Sequence, residues 1–456
     1  MYKYTKITAS IGPKSENKET ITKMIMGGVN AFRLNFSHDT GDVQGAKIDL
    51  IRSVSQKLQM PVSIIVDLQG PKHRIGNFRT EDKYKLVIGQ TFTFDNDETP
   101  GDSTRVQLPH PDVIQSLKSG DRILLNDGKI EMQVIDAYPN KIVATVVRGT
   151  EIWSRRGFNL PDTFVDAPVL TDKDRQDLEY AITKNPDWVA VSFVQSADDI
   201  SYVRDFINAR TSHPIKIIAK IERPHAVEHI AEIASVADGI MIARGDLAVE
   251  MPFEQVPAIS RNIIRVCRQL NKPVIMATQM LASMVDGEFP TRAEISDVAN
   301  AAYLRADSTM TSEETTIGVN PVHVINTMAK ILSYADADTI ANPYDWSRME
   351  NVPENNWSRS VSSMAYLNKA SAIVVFDKDG VATTEIACRR PDIPIISVCR
   401  DSTVANQLCL VRGVTTIYDP ELFGMRDGFG AAHRFGINMG LVVIVDDGKI
   451  SLRSCC

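Results

Sequence analysis

Four charged side chains in the segment 215–246 have the types and spacing that metal and phosphate chemistry needs. The segment contains two short apolar runs, IKIIAKIE and GIMIARGD. Lys220 and Glu222 end the first run, and Arg244 and Asp246 end the second. Two carboxylates near a fixed lysine charge suit a hard cation such as magnesium together with a phosphorylated substrate.

The two apolar runs are typical of parallel strands that are buried on both faces and whose carboxyl ends open into a site. Between them, residues 224–236 carry apolar side chains at helical spacing, with Pro224 in the first turn. This pattern predicts a strand–helix–strand unit that sets Glu222 and Asp246 side by side. On this segment alone, an ion-paired rim that only stabilises the domain is an equally good interpretation.

The amino-terminal two thirds of the chain contains eight apolar segments that are predicted to be strands. They are Lys6–Ser10, Ala31–Asn35, Val62–Asp67, Trp188–Ser192, Ile215–Lys220, Gly239–Ala243, Val274–Thr278 and Ser308–Thr311. Helical patterns separate most of them, as in Ser15–Met26, Thr171–Lys184, Ala197–Arg210, Gln255–Gln269 and Arg292–Leu304. Strands that alternate with helices in this way predict an α/β protein built on a (β/α)8 TIM barrel.

Polar residues stand where the predicted strands stop. They are Arg33, Asn35, Ser37, Asp67, Ser192, Lys220, Glu222, Asp246, Thr278, Ser312 and Glu314. Because all carboxyl ends of the strands in such a barrel face the same way, we expect these side chains to converge on one mouth. A rim that only stabilised the barrel would not need so many of them.

The barrel pattern is interrupted after the third strand. Residues 71–156 contain TFTFD, DRILLNDG, KIEMQVID and KIVATVVRG, in which strands alternate with turn residues. We expect an inserted all-β lid domain over the barrel mouth, where a lid can exclude water from phosphoryl transfer. The barrel domain is then assigned to residues 1–70 and 157–335.

A third pattern follows the barrel. Residues 336–356 have no clear periodicity and are predicted to be a linker. Residues 357–456 contain AIVVF, IPIISVC, VTTIY and LVVIVD between helical stretches, which predicts a C-terminal open α/β domain. This domain has no glycine-rich phosphate loop, so a regulatory or assembly role and a purely structural role both stay open.

Composition excludes several classes of function. The chain of 456 residues has a formal net charge of −7 and no basic block, which argues against nucleic acid and membrane surfaces as partners. No apolar run is long enough to span a membrane, and the start MYKYTKITASIG shows no export signal. Together with only six scattered cysteines, these features predict a cytoplasmic protein.

Nine motifs carry a close resemblance to the pyruvate kinase family. They are TKITASIGP, FRLNFSH, DLQGP, GFNLP, AKIE, ARGDLAVE, KPVIMATQML, PTRAEISDVANA and SEET, in that order. The resemblance runs nearly end to end. It implies that the phosphoryl group of phosphoenolpyruvate passes to ADP, which gives ATP and an enolpyruvate that is then protonated to pyruvate.

The resemblance implies three catalytic residues. Lys220 would face the phosphoryl group in flight, where a fixed cation in a dry site is worth most. Arg33 would contact phosphate oxygens, and Thr278 would lie near the enolate carbon and orient a proton relay. Gly245 and Asp246 would bind the substrate together with these three, with backbone N–H groups around them cradling its carboxylate.

The resemblance also implies cofactors and partners. Glu222 and Asp246 would hold magnesium or manganese, which acts as a Lewis acid toward the enolate. Asn35, Arg74 and Arg156 would contact the nucleotide, ADP or ATP. A homo-oligomer is expected, and the family resemblance favours a tetramer.

A further region resembles the monovalent-cation site of the family. It would comprise Asn35, Ser37, Asp67, Leu68 and Lys72. In potassium-requiring members an acidic residue follows the GP of the DLQGP motif, whereas Lys72 occupies that position here. The combination resembles the potassium-independent branch, because a lysine ammonium can occupy a region where a monovalent cation would otherwise neutralise phosphate charge. We therefore predict that potassium is not required.

The C-terminal domain also departs from members that bind sugar phosphates. Where those have a loop rich in serine and threonine, this chain has DKDGVATTE, and the tail VDDGKISLRSCC has no further glycine-rich loop. Asp377 and Asp379 would repel a phosphate. We therefore predict that fructose 1,6-bisphosphate does not activate the protein.

Three residues, Asp39, Ala248 and Glu313, replace glycines that are usual in the family. None of them removes a chemical group, so we expect an active enzyme with altered nucleotide affinity. Two alternatives stay open at this point. One is a non-catalytic or regulatory paralogue, and the other is a different magnesium barrel enzyme of phosphoenolpyruvate or pyruvate, which would not need the inserted lid.

Overall fold

The computed structural model describes residues 2–341 and 356–455. Eight parallel strands close into a barrel, since the first strand pairs with both the second and the eighth. The barrel strands are Lys6–Ser10, Ala31–Asn35, Ser63–Asp67, Trp188–Val191, Lys216–Ile221, Gly239–Ala243, Val274–Ala277 and Ser308–Thr311. The predicted TIM barrel is confirmed, and the ends of every predicted strand agree to within one residue.

Helices surround the barrel. They are Lys18–Met26, Gly41–Leu58, Asp172–Ile182, Ala197–Asn208, Pro224–Glu228, Ile230–Val236, Arg244–Glu250, Val256–Gln269, Arg292–Tyr303, Glu313–Thr316 and Pro321–Ala341, with short 3-10 turns at Phe253–Gln255 and Ala282–Val285. Three of them begin at complete capping boxes, in which Thr171, Ser196 or Thr291 caps the first turn. The helix predicted for residues 224–236 is instead two helices, because His229 leaves the helical region at φ −98° and ψ 20°.

The barrel is filled by large apolar side chains from alternate strand positions. Trp188, Ile65, Ile218 and Met241 belong to one buried cluster inside it. Leu410 of the C-terminal domain joins the same cluster. The barrel interior is therefore a packed core rather than a channel, and the C-terminal domain contributes to it.

The segment between the third and fourth barrel strands folds as β-structure. Its strands are Tyr84–Lys85, Thr91–Asp95, Arg105–Gln107, Arg122–Leu125, Ile130–Tyr138, Lys141–Arg148, Glu151–Ile152 and Phe158–Asn159, with one helix at Pro111–Ser116. They form a six-stranded and a two-stranded sheet around a separate apolar core. That core also includes Phe158, Leu160 and Val165, which lie beyond residue 156, where the sequence placed the boundary.

The C-terminal domain is an open five-stranded sheet flanked by helices. Its strands are Ala372–Asp377, Ile395–Cys399, Val414–Tyr418, Gly440–Asp446 and Lys449–Cys455, and its helices are Asn356–Leu367, Val381–Cys388, Ser402–Leu408, Pro420–Met425 and Gly428–His433. The last two strands form an antiparallel hairpin. The sequence analysis missed this final strand, although Asp447-Gly448 is a strong hairpin turn signal.

The predicted linker begins later than expected. Helix Pro321–Ala341 continues through residues 336–341. It continues because Asp336 is fully buried and forms an ion pair with Arg412 at 2.7 Å, so this part of the helix packs between the barrel and the C-terminal domain. The remainder of the predicted linker, residues 342–355, lies outside the described residues. Within the described residues, no helix has the length and apolar character to cross a membrane.

Candidate active site

Neighbouring barrel strands bring four charged side chains into one group, which we call the barrel-mouth cluster: Arg33, Asp67, Lys220 and Glu222. Asp67 accepts a hydrogen bond from Arg33 Nε at 2.6 Å, and its other oxygen lies 3.2 Å from Lys220 Nζ. Lys220 Nζ also lies 3.0 Å from Glu222 Oε1 and donates to Ser192 Oγ at 2.6 Å. These strand-end residues therefore meet at one place.

In the barrel-mouth cluster, burial disfavours the charged forms of the side chains, and the neighbouring opposite charges favour them. Burial raises the pKa of Asp67, but Lys220 and Arg33 outweigh it and hold that pKa below its ordinary value. Burial lowers the pKa of Lys220, and the carboxylates of Asp67 and Glu222 outweigh it, so that pKa is raised. Lys220 is therefore a permanent cation at neutral pH, held in position by three partners.

Glu222 and Asp246, the predicted metal ligands, each pair with a lysine. Glu222 binds Lys220, and Lys72 Nζ lies 2.9 Å from Asp246 Oδ1. Burial raises the pKa of Glu222, Lys220 lowers it, and the negative charge of Asp246 raises it further, so the two carboxylates interact. Carboxylate oxygens are the donors that magnesium and manganese prefer, and this pair fits such an ion.

Thr278 and Gly245 lie beside these acids. Thr278 adopts a left-handed φ of 68°, and its Oγ1 accepts a hydrogen bond from the Gly245 backbone N–H at 2.8 Å. Arg244 fixes this arrangement, because it donates to the Thr278 carbonyl at 2.9 Å and to both oxygens of Asp297 at 2.7 Å. Sequence reasoning did not single out Asp297, although it stands within the quoted motif PTRAEISDVANA.

The turn after the third strand carries Lys72 toward Asp246. Gly70 has φ 69°, and a Cβ atom at this position would lie 2.8 Å from Ser192 Cβ. Only glycine fits both the backbone conformation and the close approach. The backbone beyond this turn pairs Arg74 with Gly157 as the chain enters and leaves the inserted domain.

The predicted nucleotide residues lie in two places. Asn35 Oδ1 accepts a hydrogen bond from the Ser37 backbone N–H at 3.1 Å at the end of the second strand. Arg74 lies at the root of the inserted domain and donates to the Arg155 carbonyl at 3.2 Å. Arg156, on the returning chain, has its guanidinium 4.9 Å from the centre of the Trp153 ring. Among the described residues, no hydrogen bond or ion pair joins either arginine to Asn35.

The residues of the predicted monovalent-cation region are also divided. Asn35 and Asp67 are register partners on adjacent strands, and Leu68 follows Asp67 as a buried residue whose carbonyl accepts from Ser192 Oγ at 2.7 Å. The Lys72 ammonium, in contrast, pairs with Asp246. The positive charge at this position therefore lies beside a predicted metal ligand.

Comparison with known proteins identifies the relatives of this site. A family model described as the pyruvate kinase barrel domain matches residues 2–325, and one described as the pyruvate kinase alpha/beta domain matches residues 355–447. The chain belongs to the pyruvate kinase family. This assignment confirms the resemblance seen in the motifs and sets aside the alternative of a different magnesium barrel enzyme.

Individual pyruvate kinases match over nearly their whole length. One from Methylorubrum extorquens is 38% identical over 449 residues, which cover 97% of this chain and 92% of that protein. One from Agrobacterium vitis is 36% identical over 440 residues, which cover 96% and 92%. The crystal structure of a pyruvate kinase from Cryptosporidium parvum has a TM-score of 0.94 at 30% identity and covers 100% of this chain and 96% of that chain. The chain is a phosphotransferase of the pyruvate kinase class.

The backbone at Asp39, which the resemblance predicts to replace a glycine, has a conformation that suits glycine. Asp39 has a left-handed φ of 63°, which glycine adopts freely and aspartate tolerates better than most residues. Its carboxylate pairs with Lys47 at 2.8 Å, and Lys47 also pairs with Glu16 at 2.9 Å. The extra charge is therefore compensated close to where it is introduced.

Proposed function

We propose that the chain transfers the phosphoryl group of phosphoenolpyruvate to ADP and yields pyruvate and ATP, as the pyruvate-forming step of glycolysis. The observation that carries this proposal is the burial of Lys220 among Asp67, Glu222 and Ser192 at the barrel mouth. A cation fixed in this way is positioned before the reaction and needs no reorganisation when charge develops on the transferring group.

Substrate binding is assigned to Arg33, Lys220, Gly245, Asp246 and Thr278. Arg33 uses Nε on Asp67 and one terminal nitrogen on Ser10 Oγ at 3.1 Å, so its guanidinium is fixed near Lys220. A guanidinium is suited to phosphate oxygens because its planar fork donates in pairs. The hydroxyl of Thr278 is assigned the orientation of the proton relay to the enolate carbon.

Glu222 and Asp246 are assigned to hold magnesium or manganese. The ion supplies Lewis-acid stabilisation to the developing enolate and to phosphate charge when it is bound. Burial raises the pKa of Glu222 and Lys220 opposes that rise, while the backbone N–H of Phe193 donates to the second Glu222 oxygen at 2.8 Å and orients it. These contacts hold the Glu222 carboxylate in position, and a bound divalent cation would favour its ionised form.

Asn35, Arg74 and Arg156 are assigned to the nucleotide. Arg74 and Arg156 lie on the two segments of the chain that connect the inserted domain to the barrel. Movement of that domain as a lid would therefore carry both arginines with it, and water would be excluded when the nucleotide is bound.

Potassium independence is assigned to Lys72, whose ammonium lies beside Asp246 rather than with Asn35 and Asp67. Its pairing with Asp246 at 2.9 Å supports this assignment, because it places the lysine ammonium beside a predicted metal ligand. Lack of activation by fructose 1,6-bisphosphate is supported by Asp377, which is buried and accepts from the backbone N–H groups of Gly380 at 3.0 Å and Thr383 at 2.7 Å. Those two amides are therefore not free to bind a phosphate.

The same assignment leads to proposals for the location, the assembly state and the partners of the protein. We infer a cytoplasmic homo-oligomer, a tetramer by family resemblance, that acts on small molecules and not on nucleic acids or membranes. A coupled assay of pyruvate formation from phosphoenolpyruvate and ADP tests the function. Turnover that depends on both substrates and on magnesium supports it, and its absence from a folded protein would establish the non-catalytic paralogue instead.

A further inference from the structure

Two imidazoles and a carboxylate lie together on one turn of chain just beyond Glu222. His225 and Glu228 belong to helix Pro224–Glu228, and His229 follows directly. The His229 backbone N–H donates to the His225 carbonyl at 3.1 Å, and this bond closes the last turn of that helix. Residues three and four apart on such a turn share a face. One nitrogen or oxygen atom from each of the three side chains lies within 4.8 Å of the others.

The surroundings of His225 leave one of its ring nitrogens in need of a partner. The His225 ring contacts the His229 ring at 4.4 Å between centroids and the Phe164 ring at 5.0 Å. Its Nδ1 atom is buried, and among the described residues it has no hydrogen-bond partner. A buried polar atom without a partner is costly, and ligands or ions commonly satisfy such atoms.

The His229 ring is oriented from its other side. Its Nδ1 atom lies 3.3 Å from a carboxylate oxygen of Glu232, three residues along the chain. In metal sites a carboxylate at one ring nitrogen fixes the tautomer and makes the opposite nitrogen a better ligand. Glu232 is therefore placed to act as a positioning residue for His229.

We propose that His225, Glu228 and His229 form a binding site for a transition-metal dication of the Zn²⁺ type, distinct from the magnesium site. Two imidazoles with one carboxylate suit Zn²⁺, Co²⁺, Ni²⁺ and Cu²⁺, whereas Mg²⁺ prefers oxygen donors alone. Three protein ligands also leave a coordination position for water or an anion.

The geometry needs only a small adjustment to bind such an ion. Ligand atoms about 2.1 Å from a tetrahedral zinc ion are about 3.4 Å apart, which is closer than the 4.8 Å limit within which these atoms lie. Glu228 is exposed and His229 is half-buried, so both side chains can turn without disturbing the core. The site lies beside a cleft that Lys72, Phe164 and Arg223 also line.

The test uses the full-length protein with saturating Mg²⁺, so that the hard-cation site is filled. Zn²⁺ binding is measured by calorimetry, and Co²⁺ is used as a probe whose visible ligand-field bands report nitrogen and oxygen coordination. We expect a single equivalent of either metal to bind. His225→Ala with His229→Ala should abolish binding, and the milder His229→Gln should weaken it by about 10-fold or more.

Two further variants separate this site from general histidine effects. His323 lies on another helix, Pro321–Ala341, and its ring contacts the Glu288 carbonyl at 2.9 Å. The variant His323→Ala should bind the metal as the unaltered protein does. Glu232→Gln should keep the stoichiometry but weaken binding by about 10-fold, as loss of an orienting carboxylate typically does. Circular dichroism checks the fold of every variant.

Three results would overturn the proposal. The first is the absence of binding in excess Mg²⁺. The second is equal affinity in the unaltered protein and in folded His229→Gln. The third is a strong near-ultraviolet thiolate-to-cobalt band, which would show that cysteine sulfur binds the metal instead.

Discussion

Replacement of Lys72 by glutamate should make activity partly dependent on potassium, whereas we expect the unaltered enzyme not to need it. In the structure, Lys72 Nζ lies 2.9 Å from Asp246 Oδ1, and both side chains are less than one third exposed, at 24% and 29%. Opposite unit charges at this separation attract by roughly 6 kcal/mol at an effective dielectric constant of about 20. Desolvation and screening offset most of that attraction.

The net effect is better taken from hydrogen bonds to charged groups, which contribute about 1.5–3 kcal/mol. If Lys72 makes one such bond to the phosphoryl group in the transition state, at about 1.4 kcal/mol per factor of ten its loss corresponds to roughly 10- to 100-fold in kcat/KM. Lys72→Glu loses this positive charge and adds a carboxylate next to Asp246. A monovalent cation can then bind the new carboxylate and restore part of the lost positive charge.

The assay measures pyruvate formation in tetramethylammonium buffer, with and without added potassium. We expect the unaltered enzyme to be insensitive to potassium and Lys72→Glu to regain part of its activity. Lys72→Met is the matched control, because it loses the same charge but offers potassium no carboxylate and should not recover. Lys83→Glu controls for charge on the inserted domain, since Lys83 pairs with Glu151 at 3.3 Å. A strong potassium requirement in the unaltered enzyme would refute the reasoning.

Three further outcomes are expected. Lys220→Met and Glu222→Gln should each lower kcat by about 100- to 1000-fold with an unchanged circular dichroism spectrum, because each loses a preorganised charge rather than core volume; near-normal turnover would contradict their roles. Fructose 1,6-bisphosphate should leave the half-saturating concentration of phosphoenolpyruvate unchanged, and a shift of several-fold would show that Asp377 does not block phosphate. Asp307→Ala should lower the free energy of unfolding by about 3–5 kcal/mol in denaturant titrations, because it strands the buried Arg390 that pairs with it at 2.5 Å, and a loss below about 1 kcal/mol would contradict this.

The barrel was predictable because its strands are continuous apolar runs with polar residues at one end. Trp188 and its neighbours in that strand are almost wholly buried, so the strand is apolar at every position of the sequence rather than at alternate positions. The eighth strand, Ser308–Thr311, is more polar, and its side chains are nevertheless buried; a hydrogen bond of 2.8 Å joins the Thr8 and Ser308 hydroxyls. The regular alternation of strands and helices along the chain is what predicts this eighth strand.

The partners within the site were not predictable in the same way. Lys72 and Asp246 are 174 residues apart, and their contact depends on the turn at Gly70 and on the start of helix Arg244–Glu250. Sequence patterns report the burial of an element and the residue at which it ends, but they do not report the partner that a side chain reaches across the barrel mouth. For the same reason, the sequence does not predict the bidentate pairing of Arg244 with Asp297.

The charges at the barrel mouth imply that substrate and metal bind together. Arg33 and Lys220 balance Asp67 and Glu222, and Lys72 balances Asp246, so this set of side chains carries no net charge. A balanced buried site has no surplus positive charge with which to hold a multiply charged phosphate ester alone. A divalent cation would supply that surplus, and the anion would in turn favour the cation. Since such coupling is reciprocal, magnesium should raise the affinity for phosphoenolpyruvate by the same factor by which phosphoenolpyruvate raises the affinity for magnesium.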